Sequence, residues 1–321
     1  MHNPNLINSR FGVASTAQQV VEGLDLNGTT AVVTGGYSGL GLEATRALAS
    51  VGATVIVPAR DCSKAQRNLA HLRNVTIADL DLSVPSEIAA FGAEVVSSGR
   101  PISMLINSAG VMATPLWRNS DGHEGQFAIN HLGHFQLTAA LWPALTRANG
   151  ARVVSVSSRA HQAGGIDFDD IHFVRRAYDS VLAYGQAKTA NALFAVELDR
   201  RGREVGVRAF SLHPGQILTD IVRHLTPEYL ARFDAYDADG NLRIDPANGR
   251  KTPQQGAASM VWAGASPELD GFGGEYLEDF GVAQPYNGEL GSKGVASWAI
   301  DPVAARRLWD ASVSMTGAFA G

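Results

Sequence analysis

Short apolar runs alternate with longer stretches of helical periodicity over the first two thirds of the chain. The runs are rich in β-branched side chains, lack strict alternation of polar and apolar positions, and occupy residues 30–33, 54–57, 103–106, 152–156 and 207–212. Continuous runs of this kind are typical of strands that are buried on both faces of a parallel sheet. Between the runs, apolar side chains recur every three or four positions, most clearly over 40–51 and 187–198, which predicts helices. This alternation predicts an α/β fold with a doubly wound parallel sheet and helices on both faces.

The alternation is interrupted in two places, and both interruptions bear on the domain organisation. Residues from about 222 to 256 are polar and rich in Asp, Asn, Gly and Pro, which predicts a cap-like insertion. At its start, apolar side chains keep helical spacing and predict one amphipathic helix: Ile221, Val222, Leu225, Tyr229, Leu230 and Phe233. Beyond residue 282 glycines are frequent, and a last short helix is predicted near 302–313. We therefore expect one domain over 26–281, with an N-terminal extension (1–25) and a C-terminal extension (282–321).

Composition and charge exclude several classes of protein. The 321 residues include 26 basic and 31 acidic side chains, a formal net charge of −5, whereas nucleic-acid-binding proteins carry a basic excess. No apolar run reaches the roughly 18 residues that a transmembrane helix needs, and the N-terminus lacks the cationic and apolar regions of a signal peptide. The single cysteine, Cys62, excludes an internal disulfide and a multi-cysteine metal cluster. We expect a cytoplasmic protein that has no integral membrane segment and binds no nucleic acid.

Two patterns that suggest metal binding are better explained otherwise. The acidic stretch around Gly240 resembles a calcium loop, but an EF-hand aligned on this glycine needs an acidic residue at Ala235 and a glutamate at Pro246. His131 and His134 lie three apart on a predicted helix and would supply only part of a metal site. We therefore predict no metal site.

A glycine-rich loop joins the first predicted strand to the first helix. It reads Thr-Gly-Gly-Tyr-Ser-Gly-Leu-Gly over residues 34–41, with Gly35, Gly39 and Gly41 in TGxxxGxG spacing. Glycines at such a junction let the backbone turn tightly and approach a pyrophosphate, which then lies on the N–H groups of the helix N-terminus. The loop therefore predicts a Rossmann-type sheet that binds a dinucleotide at the carboxyl ends of its strands.

Polar side chains follow several of the predicted strands or begin the helices after them. Tyr184 and Lys188 lie one turn apart at the start of a predicted helix, so the phenol and the ammonium face the same cleft. Because a nearby cation stabilises a phenolate, we expect Lys188 to lower the pKa of Tyr184. Ser158 follows the strand at 152–156, and Asn107 follows another strand. Ligands of open α/β sheets bind at this edge, which makes these residues candidates for catalysis and binding.

As a set, these motifs resemble those of the short-chain dehydrogenase/reductase family. The resemblance extends over residues 26–219 and includes TGxxxGxG, the Asn-Ser-Ala-Gly segment at 107–110, the YxxxK pair and the Pro-Gly segment at 214–219. Two residues depart from the family pattern: Ser108 stands where an asparagine is usual, and Ala187 where a serine often precedes the lysine. Neither departure removes a group from the catalytic set.

The resemblance implies a role for each matching residue. Tyr184 matches the general acid/base, Lys188 the residue that binds the nicotinamide ribose and lowers the pKa of the phenol, and Ser158 the residue that hydrogen-bonds the substrate carbonyl. Asn130 matches the residue that holds a proton-relay water near the lysine. Besides Tyr184 and Lys188, the residues that match cofactor-binding positions are Gly35, Tyr37, Ser38, Gly39, Leu40, Gly41, Asp81, Leu82, Asn107, Ala109, Gly110, Pro214, Gly215, Ile217 and Thr219.

The end of the second predicted strand indicates which nicotinamide cofactor is bound. Ala59 stands where an acidic residue would bind the ribose 2′-hydroxyl of NAD, and Arg60 follows it. A guanidinium pairs with the 2′-phosphate of NADP, although Asp61 adds a negative charge nearby. We therefore expect NADP(H) rather than NAD(H) as the cofactor.

A narrower resemblance connects three segments to the retinol dehydrogenase and WW-domain oxidoreductase branch of the family. The segments are residues 121–135, 158–161 and 166–171, and no WW domain accompanies them. The resemblance implies an enzyme that interconverts an alcohol and an aldehyde or ketone by hydride transfer with NADP(H). Members of the family are commonly dimers or tetramers, which leaves a homo-oligomer open here.

The substrate side of the cleft is less marked in the sequence. His161 lies three residues after Ser158, and Ile221 and Leu225 begin the predicted amphipathic helix, so these three are candidates for substrate contact. If that helix lines the cleft, the substrate is a hydrophobic aldehyde or ketone, whereas a helix that only packs on the core says nothing of the substrate. Two other functions stay open: a catalytically silent NADP(H)-binding sensor or scaffold, and a double-bond reductase on the same fold.

Overall fold

One twisted sheet forms the centre of the protein in the computed structural model, which describes residues 7–232, 236 and 239–320. The strands are β1 (Thr30–Thr34), β2 (Thr54–Ala59), β3 (Val75–Asp79), β4 (Met104–Asn107), β5 (Ala151–Val156), β6 (Val207–His213), β7 (Tyr276–Glu278) and β8 (Gly281–Val282). Their order is β3-β2-β1-β4-β5-β6-β7-β8; neighbours are parallel except β7 and β8. The strand order reverses between β1 and β4: β2 and β3 are added on one side of β1, and β4 and the later strands on the other. Open α/β sheets bind ligands at such a switch point.

Helices cover both faces of this sheet, so the predicted doubly wound α/β fold is confirmed. They are α1 (Ala17–Val21), α2 (Gly39–Ser50), α3 (Cys62–Leu69), α4 (Pro85–Ser97), α5 (Gly125–Phe127), α6 (His134–Arg147), α7 (Ser180–Gly202), α8 (Pro227–Arg232), α9 (Pro253–Ala265) and α10 (Pro302–Thr316). Apolar residues of α1, α2, α3 and α9 pack on one face, and those of α4, α6, α7 and α10 on the other. Strands β1, β4 and β5 are buried along their whole length, as their continuous apolar runs predict.

All five predicted strands are present, whereas three strands have no signal in the apolar pattern. β3 lies at the edge of the sheet and is only half-buried, so Val75–Asp79 carries no continuous apolar run. β7 and β8 have three and two residues, too few for a pattern to show. Both lie in the part of the chain where glycines break the apolar periodicity.

The single amphipathic helix predicted over 221–233 is wrong. The chain forms a 3₁₀ turn, Asp220–His224, and then the separate helix α8, Pro227–Arg232. Pro227 explains the break, because a proline has no backbone N–H to continue a helix and disfavours helical backbone at the residue before it. Phe233 and the side chain of Leu230 lie outside the described part of the chain.

Both terminal extensions pack on the domain. Val20 and Val21 of α1 belong to the core formed with α2 and α9. The last predicted helix is present as α10, where Trp309 packs edge-on against Phe135 at 5.0 Å between ring centroids and stacks on Phe194 of α7. No helix among the described residues is long and apolar enough to cross a membrane.

Candidate active site

The glycine loop brings the backbone of β1 and α2 into close contact with neighbouring elements. Gly35 has φ +67°, and a Cβ added there would lie 3.1 Å from the Cα of Ala109. A Cβ on Gly41 would collide with the carbonyl group of Gly35, and one on Gly39 would touch the Thr219 side chain at 3.4 Å. Any side chain at these positions would fill the space above the loop. The three glycines therefore keep a cradle open at the start of α2.

The N-terminus of α2, which begins in this loop, has no side-chain cap. Its N-cap residue, Ser38, makes no side-chain hydrogen bond to the helix. The first turn of a helix otherwise leaves up to four N–H groups without intrahelical partners, and they attract an anion. Together with the missing Cβ atoms, this arrangement fits the diphosphate of a dinucleotide.

A cleft of about 1060 Å³ opens at the carboxyl ends of the strands and contains the cradle. Most predicted site residues line it: Gly35, Tyr37, Ser38, Gly39, Leu40, Gly41, Arg60, Asp81, Leu82, Ala109, Gly110, Ser158, Tyr184, Lys188, Pro214, Gly215, Ile217, Thr219, Ile221 and Leu225. Three do not, namely Asn107, Asn130 and His161. Sequence motifs more than 100 residues apart therefore converge on one cavity.

Asn107 lies inside the sheet rather than in the cleft. It ends β4 between Thr34 of β1 and Ser155 of β5, and its side chain is 1% exposed. Its amide nitrogen and oxygen have no hydrogen-bond partner among the described residues. This side chain does not line the cleft, whereas its neighbours Ala109 and Gly110 do, and its contact with the cofactor stays a prediction.

Asn130 lies behind Gly110, in a π-helix (Ala128–Gly133) between α5 and α6. Its side chain accepts a hydrogen bond from Val111 N and donates one to Val111 O, both at 2.9 Å. A Cβ added to Gly110 would lie 3.0 Å from Asn130 Oδ1 and 3.7 Å from Lys188 Nζ. Gly110 therefore lies between Asn130 and the cleft. The Asn130 amide fixes the loop that lines the cleft through its two hydrogen bonds to Val111.

A buried histidine joins this π-helix to the glycine loop. His134 is 1% exposed, and its Nδ1 lies 2.9 Å from the carbonyl oxygen of Asn130. Because that oxygen only accepts, Nδ1 carries the proton and Nε2 accepts from the Thr34 hydroxyl at 2.9 Å. Thr34 Oγ1 in turn accepts from the backbone N–H groups of Ser108 and Ala109. This chain of bonds fixes the two loops that border the cleft, and no sequence motif signalled it.

Ser158, Tyr184 and Lys188 form one group at the centre of the cleft. Ser158 caps the 3₁₀ turn after β5, where its Oγ accepts from Ala160 N at 3.2 Å, and its hydroxyl lies close enough to the Tyr184 phenol to lower the pKa of that phenol. Helix α7 carries the other two residues one turn apart, with Lys188 Nζ 5.5 Å from the Tyr184 ring centroid. The ammonium donates to the carbonyl oxygen of Val156 at 2.9 Å. The phenol and the ammonium thus face one cavity, as their spacing predicts.

Burial, rather than charge, controls the protonation of Tyr184 and Lys188. Burial raises the pKa of Tyr184 above its usual value, and the Ser158 hydroxyl only partly opposes this shift. Burial also lowers the pKa of Lys188 to about 8. The expected lowering of the Tyr184 pKa by Lys188 is therefore not seen here, where burial raises that pKa. At neutral pH the phenol is protonated, which suits a proton donor.

His161 is not at the place where we expected a substrate contact. It is fully buried behind Ser158, where Nδ1 lies 2.6 Å from the Ser158 carbonyl oxygen and 3.3 Å from the Tyr276 hydroxyl. Its Nε2 accepts a hydrogen bond from Ala296 N at 3.1 Å. With both ring nitrogens occupied, His161 supports the site from the side opposite to the cleft.

Cationic side chains mark one end of the cleft. Arg60 is exposed there and has no hydrogen-bond or ion-pair partner among the described residues. Asp61, whose charge argued against an anion site, caps α3 by accepting from Lys64 N at 2.8 Å. Lys64, which the sequence analysis missed, also lines the cleft and pairs with Asp220 at 2.9 Å. Its position one turn beyond Arg60 is the signal that could have identified it.

Apolar side chains from several segments also line the cleft. Ile221 and Leu225 line it from the 3₁₀ turn that precedes α8 and the residue after that turn. Other apolar side chains that line the cleft are Met112, Val181, Val222, Tyr229, Leu242, Ile244 and Leu290. Leu290 and Val181 come from segments far apart in the sequence, so no local pattern indicates this wall.

Among the described residues, no group of three or more His, Cys, Asp or Glu side chains could hold a metal ion.

Comparisons with known proteins agree with this arrangement. The family model described as short chain dehydrogenase matches residues 29–230. A probable oxidoreductase of Streptomyces antibioticus is 43% identical over 295 residues, which cover 89% of this chain and 97% of that protein. Human retinol dehydrogenase 13 is 34% identical over 296 residues, which cover 90% of this chain and 85% of that protein.

Solved structures share the fold. A crystal structure of an uncharacterized protein from Mycobacterium paratuberculosis has a TM-score of 0.71 and 33% identity, and the match covers 95% of this chain and 98% of that one. The NADP active-site complex of Pseudomonas aeruginosa RhlG has a TM-score of 0.59 at 21% identity, with 79% of this chain and 95% of that one covered. At that identity the second likeness shows the fold alone.

Proposed function

Because the chain belongs to the short-chain dehydrogenase/reductase family, in its retinol dehydrogenase-like branch, we propose that it interconverts an alcohol and an aldehyde or ketone with NADP(H). One observation carries the proposal: a serine hydroxyl, a buried phenol and an ammonium one helical turn from the phenol line the same cleft, which also contains the glycine cradle. An acid, a carbonyl-binding hydroxyl and a cation beside a dinucleotide site are the groups that carbonyl reduction needs.

The residues that would hold the cofactor follow from the shape of the cleft. The glycine cradle and the uncapped N-terminus of α2 suit the diphosphate, and Lys188 suits the nicotinamide ribose. Ile217 and Thr219 line the part of the cleft beyond the cradle, where the family binds the carboxamide. When bound, NADP(H) supplies or accepts the hydride.

The protein's own groups handle the proton and the carbonyl oxygen. In the direction of reduction, Tyr184 donates its proton to the oxygen as negative charge develops there, and the Ser158 hydroxyl hydrogen-bonds the same oxygen. The raised pKa keeps Tyr184 protonated before the reaction. In the direction of oxidation the phenolate must form, which the Ser158 hydrogen bond favours. Asn130 keeps the loop at Gly110 in place beside Lys188.

The preference for NADP(H) is proposed from Arg60, and we expect Arg60→Ala to weaken NADPH binding selectively. A guanidinium pairs with a 2′-phosphate through charge-assisted hydrogen bonds, whose loss costs about tenfold or more in affinity. The dissociation constants of NADPH and NADH, measured by nicotinamide fluorescence, should rise at least about tenfold for NADPH and change little for NADH. Arg67→Ala is the matched control, because Arg67 is exposed on α3, the helix that follows Arg60, and lies outside the cleft. Equal losses for both cofactors would remove Arg60 from this role.

The apolar side chains that line the cleft support hydrophobic aldehydes or ketones as substrates. Each methylene group that is buried contributes about 0.8 kcal/mol, so partial burial of a chain lengthened from butanal to octanal should lower KM about tenfold or more. NADPH oxidation with a series of aldehydes, and identification of the alcohols formed, measures this. Leu225→Asn should flatten the dependence, whereas Val205→Asn, at an exposed site outside the cleft, should leave it unchanged. A KM that does not vary with chain length contradicts the proposal.

The single unpaired cysteine suits the cytoplasm, where we place the activity.

A further inference from the structure

The turn that directly follows Ser158 is held by a segment from the far end of the chain. This 3₁₀ turn, Arg159–Ala163, contacts residues 291–298, here called the C-terminal segment. The hydrogen bonds that join them run from Arg159 Nη1 to Gly291 O (3.1 Å), Gly291 N to Gln162 Oε1 (2.9 Å), Gln162 Nε2 to Ser292 O (2.9 Å) and Gly294 O (3.0 Å), Ala296 N to His161 Nε2 (3.1 Å), and Trp298 Nε1 to His161 O (3.0 Å). The family match ends at residue 230, so the C-terminal segment lies outside it.

A buried ion pair joins the turn to Glu278 of strand β7, and Glu278 in turn bonds the C-terminal segment. Arg159 Nη2 lies 2.9 Å from Glu278 Oε1, and the two side chains are 11% and 5% exposed. The other carboxylate oxygen of Glu278 accepts from Gly294 N at 2.8 Å. Separating such a pair would leave a buried charge without its partner, which is far more costly than separating an exposed pair. The C-terminal segment is therefore fixed against the turn.

His161 connects this segment to the backbone of Ser158 itself. Its Nδ1 lies 2.6 Å from the Ser158 carbonyl oxygen, which can only accept, so Nδ1 carries the proton. Nε2 is then free to accept from Ala296 N. Burial lowers the pKa of His161 to about 4, so this neutral tautomer is kept at neutral pH. The ring thus bonds the catalytic serine on one side and the C-terminal segment on the other.

The position of Ser158 Oγ depends on the orientation of the peptide that His161 holds. Ser158 has extended backbone angles, φ −164° and ψ 157°, at the point where β5 ends and the turn begins. A rotation of its carbonyl group would displace the hydroxyl from the Tyr184 phenol. Displacements of about 1 Å at a catalytic group cost on the order of 10²-fold in rate. The C-terminal segment also contributes Gly291 to the wall of the cleft.

We infer that His161 is a positioning residue, which fixes the Ser158 hydroxyl against Tyr184 through its Nδ1–H bond and is itself held by the C-terminal segment. The inference rests on the proposed role of Ser158 in carbonyl reduction. It gives the C-terminal extension a part in catalysis through its contacts with His161. It also makes the two sides of the imidazole unequal, because only the Nδ1 side bonds Ser158.

Two substitutions of His161 separate the two sides of the ring. In His161→Asn the side-chain amide can still donate to the Ser158 carbonyl, whereas in His161→Gln it reaches towards Ala296 and leaves that carbonyl without its donor. We expect kcat to fall about tenfold or more in the Gln variant and to stay within about threefold in the Asn variant. NADPH affinity should be unchanged in both. Because the Ser158 bond favours the phenolate, the apparent pKa that governs alcohol oxidation should rise in the Gln variant only.

A third variant tests the contact from the other side without touching His161. Trp298→Phe removes the indole bond to the His161 carbonyl at a half-exposed site, so the fold is expected to survive. It should lower kcat and raise the same apparent pKa, but less than His161→Gln does. Trp262→Phe controls for a general loss of stability, because it removes an indole bond to Glu268 at a fully buried site on the opposite side of the sheet.

The outcomes distinguish a positioning role of His161 from a purely structural role. They also show separately whether the proposed carbonyl reduction itself is wrong. Loss of activity in the Gln variant with retention in the Asn variant, together with a smaller pKa shift in Trp298→Phe than in the Gln variant, supports the inference. Wild-type kcat and pH profile in all three variants overturns it, as do equal losses in Asn and Gln variants with an unaffected Trp298→Phe. Ser158→Ala is measured beside them: if it retains activity, the proposed function fails whatever His161 does.

Discussion

Replacing Tyr184 by Phe is expected to lower kcat for carbonyl reduction by about 10²–10⁴-fold, the usual contribution of a positioned general acid. The phenol is 7% exposed, lies within hydrogen-bond reach of Ser158 and is kept protonated by burial. Removal of its oxygen takes away the proton donor but keeps the ring that packs beneath the cleft. NADPH affinity should therefore change little. Steady-state kinetics combined with a fluorescence titration of NADPH separate the two effects.

Tyr178→Phe is the matched control for this substitution. The Tyr178 hydroxyl is also hydrogen-bonded, to Glu124 and the Thr114 carbonyl, but it does not line the cleft. Its loss should cost some stability and leave kcat of the folded enzyme close to the wild-type value. A Tyr184→Phe variant that keeps more than half of the activity would remove Tyr184 from the mechanism.

Replacing Lys188 by Met is expected to impair both catalysis and cofactor binding. Hydrogen bonds made by a charged group contribute about 1.5–3 kcal/mol, which corresponds to a rise of about 10–100-fold in the Kd for NADPH. A fall in kcat should accompany it, because the ammonium lies one turn from the phenol in the same cavity. Unlike Tyr184→Phe, this variant should therefore lose affinity as well as rate.

The pH dependence of NADPH binding gives an internal control for Lys188. Its pKa is lowered to about 8 by burial, so the ammonium begins to lose its proton above that pH. If the charged form binds the ribose, binding takes up a proton in this range, and affinity falls by up to about tenfold per pH unit above pH 8. Lys188→Met should abolish this dependence. Identical pH profiles for the two proteins would mean that Lys188 does not bind the cofactor as an ammonium.

The sequence predicts the parts of the fold that local patterns determine. The buried strands are continuous apolar runs, and the glycine loop is visible because Gly35 and Gly41 allow backbone contacts that side chains would block. The YxxxK spacing places Tyr184 and Lys188 on one helix face irrespective of their surroundings. These features depend on residues close together in the chain.

The features that could not be predicted depend on contacts between distant segments. The site of His161 is set by Ala296, far along the chain, so its sequence position beside Ser158 wrongly suggested a substrate contact. Asn107 follows the family motif, yet the register of β4 between two strands buries it. The pKa of Tyr184 depends on desolvation, which spacing cannot reveal, and this effect outweighs the nearby ammonium.

Transfer of deuterium from labelled NADPH tests the central claim most directly. The purified protein is incubated with NADPH that carries deuterium at C4 of the nicotinamide and with octanal, and the products are analysed by mass spectrometry. If the protein reduces carbonyl groups by hydride transfer, octanol should carry one deuterium at its carbinol carbon, and Tyr184→Phe should form little of it. The proposed reaction would be contradicted if, despite bound NADPH, octanal gave no labelled octanol and a set of hydrophobic ketones gave no labelled alcohols.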